Sequence, residues 1–240
     1  MKLDNTAGFT IIETMLFLGI TGLLVMGVLV GAGTSINIQR YRDSITSLQS
    51  VLQQQYSEAS NVSNDSLTNA CYGDSSTNNP RGQSDCVILG RFITTTDSQT
   101  LSVKSVIGYI PSGSATLPLN DVEALNQYNV QISPVGSETY NMEWGSSIVI
   151  QGSNNPMVFS LLILRSPTSG IMRTFINPSA VIADSDVATL VTKPALAQTA
   201  KLCVANPSGL FAGGKSAVVV TSNATSASGV ETLGEAISGC

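Results

Sequence analysis

The chain has 240 residues, a formal net charge of −5, a pI near 4.6 and a mean hydropathy of +0.22. Only 11% of its residues are charged and 42% are apolar, whereas about 25% are charged in typical soluble domains. Histidine is absent, which excludes Ser-His-Asp and Cys-His catalysis and imidazole metal ligands. The acidic balance argues against nucleic-acid binding through global charge. The sequence therefore predicts an ordered, exported surface protein that is not an enzyme and holds no cofactor.

An uncharged apolar run of 19 residues, Met15–Gly33, lies near the N-terminus. As a helix it would be about 28 Å long, close to the roughly 30 Å thickness of a bilayer's hydrocarbon core. It lacks the polar stripe of a core helix and is longer than the apolar run of an ordinary signal peptide. We therefore expect a single transmembrane helix at about residues 15–33.

Glu13 lies at the edge of this run, where a charged side chain costs several kcal/mol unless it has a partner. The string Gly8-Phe9-Thr10-Ile11-Ile12-Glu13 begins at the last residue of the short polar leader MKLDNTAG and precedes the apolar run. In residue type, order and position, this string resembles the prepilin cleavage motif of type IV pilins and pseudopilins. The resemblance covers about the first 30 residues, one-eighth of the chain. The alternative interpretation of Glu13 is a chance acid at the membrane interface.

The resemblance implies that a prepilin peptidase cuts between Gly8 and Phe9 and methylates the new Phe9 amine. It implies that an inner-membrane platform then assembles the chain into a filament with other pilin subunits. There, Glu13 would pair with the Phe9 amine of a neighbouring subunit and set the axial register. Removing one member of such a buried pair leaves an uncompensated charge, at a cost of about 3–5 kcal/mol.

The charges around the apolar run predict a membrane orientation opposite to the exported C-terminal head that the pilin resemblance implies. Lys2 is opposed by Asp4 in the leader, whereas Arg40 and Arg42 follow the run, so the positive-inside rule alone places the C-terminus in the cytoplasm. The motif and the downstream cysteines favour export instead. We expect a single-pass cell-membrane protein with an exported C-terminal head, found in a cell-surface filament after assembly.

Glycines interrupt the apolar run at positions 19, 22, 27, 31 and 33. Gly27-x-x-x-Gly31 is the spacing that lets another helix pack closely. Glycine is also common in membrane helices generally, and both interpretations remain open. The proline that many pilins carry near the position of Val30 is absent.

The helical pattern continues beyond the apolar run. Apolar residues recur at intervals of three and four, as on the buried face of an amphipathic helix: Tyr41, Ile45, Leu48, Leu52 and Tyr56. Joined to the apolar run, this stripe predicts one helix from about Thr10 to Ser60, roughly 75 Å long. The resulting organisation is a leader at 1–8, a long helix at 9–60 and a β-rich globular head at 61–240.

From Asn61 onward the chain alternates between apolar runs and turn signals rich in Ser, Asn, Gly and Pro. These runs predict eight strands: Cys86–Thr96, Leu101–Ile110, Tyr128–Ile132, Ser147–Gln151, Met157–Arg165, Gly170–Ile176, Lys201–Ala205 and Ala217–Thr221. Short helices are predicted at Asp121–Asn126 and Ser185–Leu190. In the second strand, apolar residues at alternate positions predict burial of one face only. The fold class is α+β, a long N-terminal helix packed on an antiparallel head, which resembles the pilin architecture.

Four cysteines, all beyond the apolar run, predict two disulfides in an exported head, with three pairings possible. Sequence proximity favours Cys71–Cys86 and Cys203–Cys240. The second of these pairs resembles the C-terminal disulfide loop of many pilins. A four-cysteine zinc site is disfavoured because the chain has no C-x-x-C pair.

Three other patterns give weaker indications. Asp184 and Asp186 are spaced to share a calcium ion, but acids in an exposed loop are far commoner. Gly209–Ser216 matches a phosphate-binding loop, although the β-branched run after it predicts a strand rather than the required helix. Lys193, Lys201 and Lys215 lie near one another in sequence, as a small basic patch for DNA requires, but the net charge of −5 disfavours DNA binding. We expect neither a nucleic-acid nor a small-molecule ligand.

The sequence thus predicts a type IV pilin-like subunit, a minor pilin or pseudopilin that serves adhesion, motility, secretion or DNA uptake. The alternative is a single-pass membrane-anchored surface binding protein that does not polymerise.

Overall fold

Helix α1 extends without interruption from Ile11 to Ser60, which confirms the predicted long N-terminal helix. The computed structural model describes residues 10–61, 86–95, 97–111, 116–193, 198–206, 215–234 and 239–240. Contacts within the chain define a compact unit, Asp43–Cys240, and a second unit that ends at Arg42. The compact unit thus contains the C-terminal part of α1.

The remaining described elements are short helices and ten strands. Helix α2 is Asp121–Asn126 and helix α3 is Thr189–Thr192, with 3₁₀ turns at Glu143–Gly145, Asp184–Asp186 and Ala227–Gly229. The strands are β1 Val87–Thr95, β2 Thr100–Tyr109, β3 Asn129–Ile132, β4 Glu138–Asn141, β5 Ser147–Val149, β6 Phe159–Arg165, β7 Met172–Asn177, β8 Ala200–Ala205, β9 Ser216–Val220 and β10 Val230–Leu233.

The strands form two antiparallel sheets. Sheet A has the order β3-β2-β1-β6-β7, and β4 pairs with β2 beyond the end of β3. Sheet B has the order β10-β9-β8-β5. The α+β class and the antiparallel pairing that the sequence predicts are therefore confirmed.

The C-terminal part of α1 packs against one face of sheet A. Its buried residues recur with helical spacing: Ser44, Ile45, Leu48, Leu52, Gln55, Tyr56 and Ala59. Glu58 forms a 2.9 Å ion pair with Arg91 of β1, and Tyr56 is hydrogen-bonded to Thr174 of β7. The predicted amphipathic stripe is thus the packing face of the helix, with Tyr41 only partly buried.

The opposite face of sheet A is covered by α2, α3 and their flanking loops. The apolar core here is one cluster drawn from the sheet and these helices: Leu89, Phe92, Val106, Leu125, Val130, Leu162, Leu164, Phe175, Val187, Leu190 and Val191. Because both faces of the sheet are covered, β6 is buried at every position except Arg165. Such a strand gives a continuous apolar run in the sequence rather than an alternating one.

Three details differ from the sequence-based predictions. The predicted helix Ser185–Leu190 is divided between the 3₁₀ turn Asp184–Asp186 and the short helix α3, because Ser and Asp in the first part favour turns and caps over a helix interior. Strand β2 is not buried on one face only, since Val106 and Gly108 on its second face are buried as well. Strands β4 and β10 were not predicted, because their mostly exposed residues show no apolar alternation.

Gly90 lies where three strands meet. It pairs with Val106 of β2 and Leu164 of β6, directly after a bulge in β1. A Cβ atom at this position would overlap the backbone carbonyl of Ile163. Only glycine therefore fits without moving a neighbouring strand.

Replacing Gly90 with alanine should destabilise the head by about 3 kcal/mol, because the clash is with backbone and no side chain can rotate away. The matched control is Gly234→Ala, where nothing lies within 4 Å of the added Cβ. Thermal unfolding followed by circular dichroism measures both variants. Equal stabilities for the two would contradict the close packing of β1 on β6.

Candidate functional site

Glu13 lies in the first turn of α1, where its backbone N–H donates to Thr10 Oγ1 at 3.3 Å. A carboxylate in this turn interacts favourably with the helix dipole. The Glu13 carboxylate forms no ion pair with any residue that the structure describes. Gly8 and Phe9, the predicted processing and assembly residues, lie outside the described residues.

The N-terminal stretch of α1 exposes its apolar side chains. Every large apolar residue from Ile11 to Val30 is between 52% and 78% exposed. An 18-residue window of this helix has a mean hydropathy of 2.3, and none of that window is buried. A core helix of a soluble protein would be mostly buried, so the apolar surface needs a cover from outside the described chain. By length and composition, the helix can cross a membrane or act as a signal segment.

Hydroxyl groups in this stretch are satisfied within the helix itself. Thr14 donates to the carbonyl of Ile11 at 2.9 Å, and Thr21 donates to that of Phe17 at 2.7 Å. Thr34 donates to Gly31 in the same way. Such internal bonds let a hydroxyl group enter apolar surroundings without an unsatisfied donor. Glu13 is therefore the exception in this stretch, because a carboxylate has no proton to donate to a backbone carbonyl of its own helix.

The glycines of this stretch have no packing role within the described chain. A Cβ atom added at position 19, 22, 27, 31 or 33 would meet nothing within 4 Å. Their small size is thus available to a neighbouring helix, as the spacing of Gly27 and Gly31 allows.

Polar side chains of α1 bind the helix to both sheets. Gln53 Nε2 donates to the carbonyl of Val230 in β10 at 3.0 Å, and Gln49 donates to the same oxygen. Ser47 donates to Glu143 and accepts from the Tyr140 hydroxyl, both at 3.0 Å. These contacts connect one helix to sheet B, to β4 and to the turn after it.

Tyr56 is a deeply buried polar group of this contact. Its side chain is 3% exposed, and its hydroxyl lies 2.8 Å from Thr174 Oγ1. Thr174 in turn donates to the carbonyl of Ala224, in the β9–β10 loop. Burial raises the pKa of Tyr56, and the hydrogen bond with Thr174 opposes this shift with a smaller effect.

A disulfide joins Cys203 of β8 to Cys240, with Cα atoms 5.7 Å apart. This is the C-terminal pairing that the sequence analysis favours. Gln151 also donates to the carbonyl of Gly239 at 3.1 Å, so two contacts hold the C-terminal residues against sheet B. Cys86 is disulfide-bonded too, but its predicted partner Cys71 lies outside the described residues.

The structure supports neither a calcium site at Asp184 and Asp186 nor a phosphate-binding loop at Gly209–Ser216 among the described residues. Asp184 forms a 2.6 Å ion pair with Lys104, and no group of three or more His, Cys, Asp and Glu side chains among the described residues could hold a metal ion. Most of Gly209–Ser216 lies outside the described residues, and Ser216 begins strand β9 rather than a helix. A phosphate-binding loop requires a helix at that point.

Comparisons of the chain with protein-family models, with curated protein sequences and with solved structures give no match. The architecture is nevertheless pilin-like, with a long, apolar N-terminal helix packed on antiparallel sheets and a disulfide at the C-terminus.

The raised pKa of Tyr56 gives a prediction for alkaline pH. The folded state holds the phenolic proton more tightly than the unfolded state, whose tyrosine pKa is about 10. Stability should therefore fall as the pH rises above about 10, with this group contributing up to about 1.4 kcal/mol per pH unit. Tyr56→Phe should reduce that loss and cost about 1 kcal/mol at neutral pH through the lost hydrogen bond.

Denaturant unfolding of both proteins between pH 8 and about 11 measures this effect. Burial also raises the pKa values of Tyr128 and Tyr140, so some pH dependence should remain in the variant. Identical slopes for wild type and Tyr56→Phe would contradict the buried position of this hydroxyl.

Proposed function

We propose that this protein is a type IV pilin-like structural subunit, a minor pilin or pseudopilin, rather than an enzyme. It is cleaved after Gly8, held in the membrane by the apolar stretch of α1 and assembled through that helix into a surface filament. The filament would serve adhesion, motility, secretion or DNA uptake. Its partners are other pilin subunits, a prepilin peptidase and an inner-membrane assembly platform.

The observation that carries the proposal is the exposed apolar stretch of α1 with one acid, Glu13, that has no ion-pair partner among the described residues. The exposed side chains from Ile11 to Val30 require an apolar environment. A bilayer supplies that environment, and so does a bundle of identical helices. Only the bundle also supplies a cation for Glu13, namely the Phe9 amine that cleavage would free in a neighbouring subunit.

Export of the head is supported by its cysteine chemistry. The Cys203–Cys240 disulfide is typical of oxidising compartments outside the cytoplasm. This observation outweighs the positions of Arg40 and Arg42 beyond the apolar stretch, which favour the reverse orientation.

The competing function is a membrane-anchored surface protein that never polymerises. The same exposed apolar stretch supports it, because an isolated helix of this length can stay in the bilayer. An anchor, however, gains nothing from a charge at Glu13 and needs no cleavage at Gly8. Processing and assembly therefore separate the two functions.

The first test is N-terminal processing. In cells with an active prepilin peptidase, the mature chain should begin at Phe9, because the whole cleavage motif is intact. Intact-mass measurement of the membrane fraction should show the loss of MKLDNTAG and a methyl group on the new amine. A bulky residue in place of Gly8 should block cleavage, and recovery of the unprocessed wild-type chain would refute the pilin assignment.

The second test concerns Glu13. Glu13→Val should leave export and cleavage intact but reduce the ratio of filament to membrane protein at least tenfold, because the amine of the neighbour loses its buried partner. The ratio is measured by immunoblotting sheared filaments and membranes. Glu13→Gln keeps the size of the side chain and should behave in the same way, since the charge is what is lost.

Thr21→Val is the matched control for the Glu13 variants. It lies in the same exposed stretch, and among the described residues its hydroxyl bonds only to Phe17 of its own helix. Its filament ratio should equal that of the wild type. A Glu13→Val chain that enters filaments as well as this control would exclude the pairing role and favour the membrane anchor.

A further inference from the structure

An apolar ridge projects from the loop before α2. Leu117 is 95% exposed and Leu119 is 91% exposed, with Pro118 between them. These are the most exposed large apolar side chains among the described residues. The ridge is defined here as residues 116–120.

The backbone of the ridge is anchored at both ends. Gln127 accepts from the N–H of Thr116 and donates to its carbonyl and hydroxyl oxygens, at 3.3, 3.0 and 2.9 Å. Glu123 Oε2 accepts from the N–H of Leu119 at 2.7 Å, while Asn120 caps α2 through the N–H of Glu123. Gln127 and Glu123 thus fix the backbone that carries the two leucines, and this backbone loses little freedom on binding.

An apolar groove of about 460 Å³ opens on another part of the head. It lies where the β5–β6 loop and the end of β7 meet strands β8 and β9. Most of its lining is apolar, from Ile150, Pro156, Met157, Pro178 and Val219, and Lys201 is the one basic residue among the described lining residues.

The ridge and the groove lie at opposite ends of the β6–β7 hairpin. Asp121, two residues after Leu119, bonds to Ser169 in the turn of that hairpin at 2.6 Å. Met157 and Pro178 of the groove flank its open end. Because β6 is about 23 Å long, the ridge of one molecule cannot reach its own groove.

The charges at the two surfaces are complementary. Glu123 lies beside the ridge, and Lys201 lines the groove. Neither forms an ion pair with another described residue. Glutamate and lysine brought together would steer the association and fix its direction.

We propose that the Leu117/Leu119 ridge of one head inserts into the groove of a second copy of this chain. The contact joins two different surfaces, so it is heterologous and repeats from head to tail instead of closing into a dimer. It rests on the proposed filament function and names the neighbour as another copy of this chain.

The contact is small. Two leucines and their rims bury far less than the roughly 800 Å² per partner of a stable interface. It becomes effective only when another interaction already holds the heads side by side, because tethering raises their effective concentration to about millimolar. The shared helix bundle of a filament provides that tether, and confinement of the helices to one membrane provides a weaker one.

Crosslinking in intact cells tests the contact with the full-length chain. The double variant Leu119→Cys/Ser179→Cys carries one thiol on the ridge and one on the rim of the groove. A short bismaleimide should link it into a ladder of dimers, trimers and higher species. Each single variant should give no ladder, and a dimer from Leu119→Cys alone would overturn the proposal, because ridges would then pack on each other.

A second experiment tests whether the charge of Lys201 contributes to the contact. Lys201→Glu in the double-cysteine background places like charges at the contact and should reduce the crosslinked ladder about three- to tenfold. The matched control is Lys193→Glu, an exposed lysine outside the groove lining, which should leave the ladder unchanged. Equal ladders in both charge variants would overturn the assigned contact.

The filament content of the same cells separates this proposal from the proposed function. Filaments that contain the double variant but give no ladder would refute the head contact alone. A ladder in membranes of cells whose filaments lack the protein would support the contact and refute the filament role. The absence of both ladder and incorporation would refute both.

Discussion

The head depends on the burial of the C-terminal part of α1 against strands from both sheets. Leu48 and Leu52 are fully buried, and side chains on either side of them bond to β1, β7 and β10. Without this helix, one apolar face of sheet A would be open to water. The helix therefore acts as a core element of the head, and a change in its packing would affect both sheets at once.

This packing constrains how the N-terminal stretch can function. The docked residues and the exposed apolar residues belong to the same uninterrupted helix, Ile11–Ser60. One part meets the interior of the head, where Tyr56 finds a hydrogen-bond partner. The other part exposes only apolar side chains, self-bonded hydroxyls and Glu13. The head thus provides partners for many of its own buried polar groups, whereas the N-terminal stretch leaves its apolar side chains exposed and the Glu13 carboxylate without an ion-pair partner among the described residues.

The sequence predicted the elements whose environment leaves a clear pattern. Strand β6 is covered on both faces and appears as an apolar run, while α1 carries a regular stripe from Ile45 to Tyr56. The edge strands β4 and β10 could not be predicted, because their mostly exposed residues show no alternation of apolar and polar side chains. The groove could not be predicted either, since Met157, Pro178 and Lys201 come together only through the pairing of distant strands. For the N-terminal site the motif is local, so Glu13 stands out from sequence alone.

Two kinds of surface have different consequences for assembly. An apolar helix surface attracts other helices but does not define how far one slides along another, because dispersion and burial are non-directional. In the proposed filament, a single carboxylate at Glu13 would define that distance, since an unpaired charge in an apolar seam is far more costly than a paired one. The ridge at Leu117 and Leu119 would define the relation between heads in the same way, because a protruding side chain fits only where a groove receives it. Two such markers in separate segments of one chain, each weak or costly alone, can select a single arrangement from the many that helix burial by itself permits.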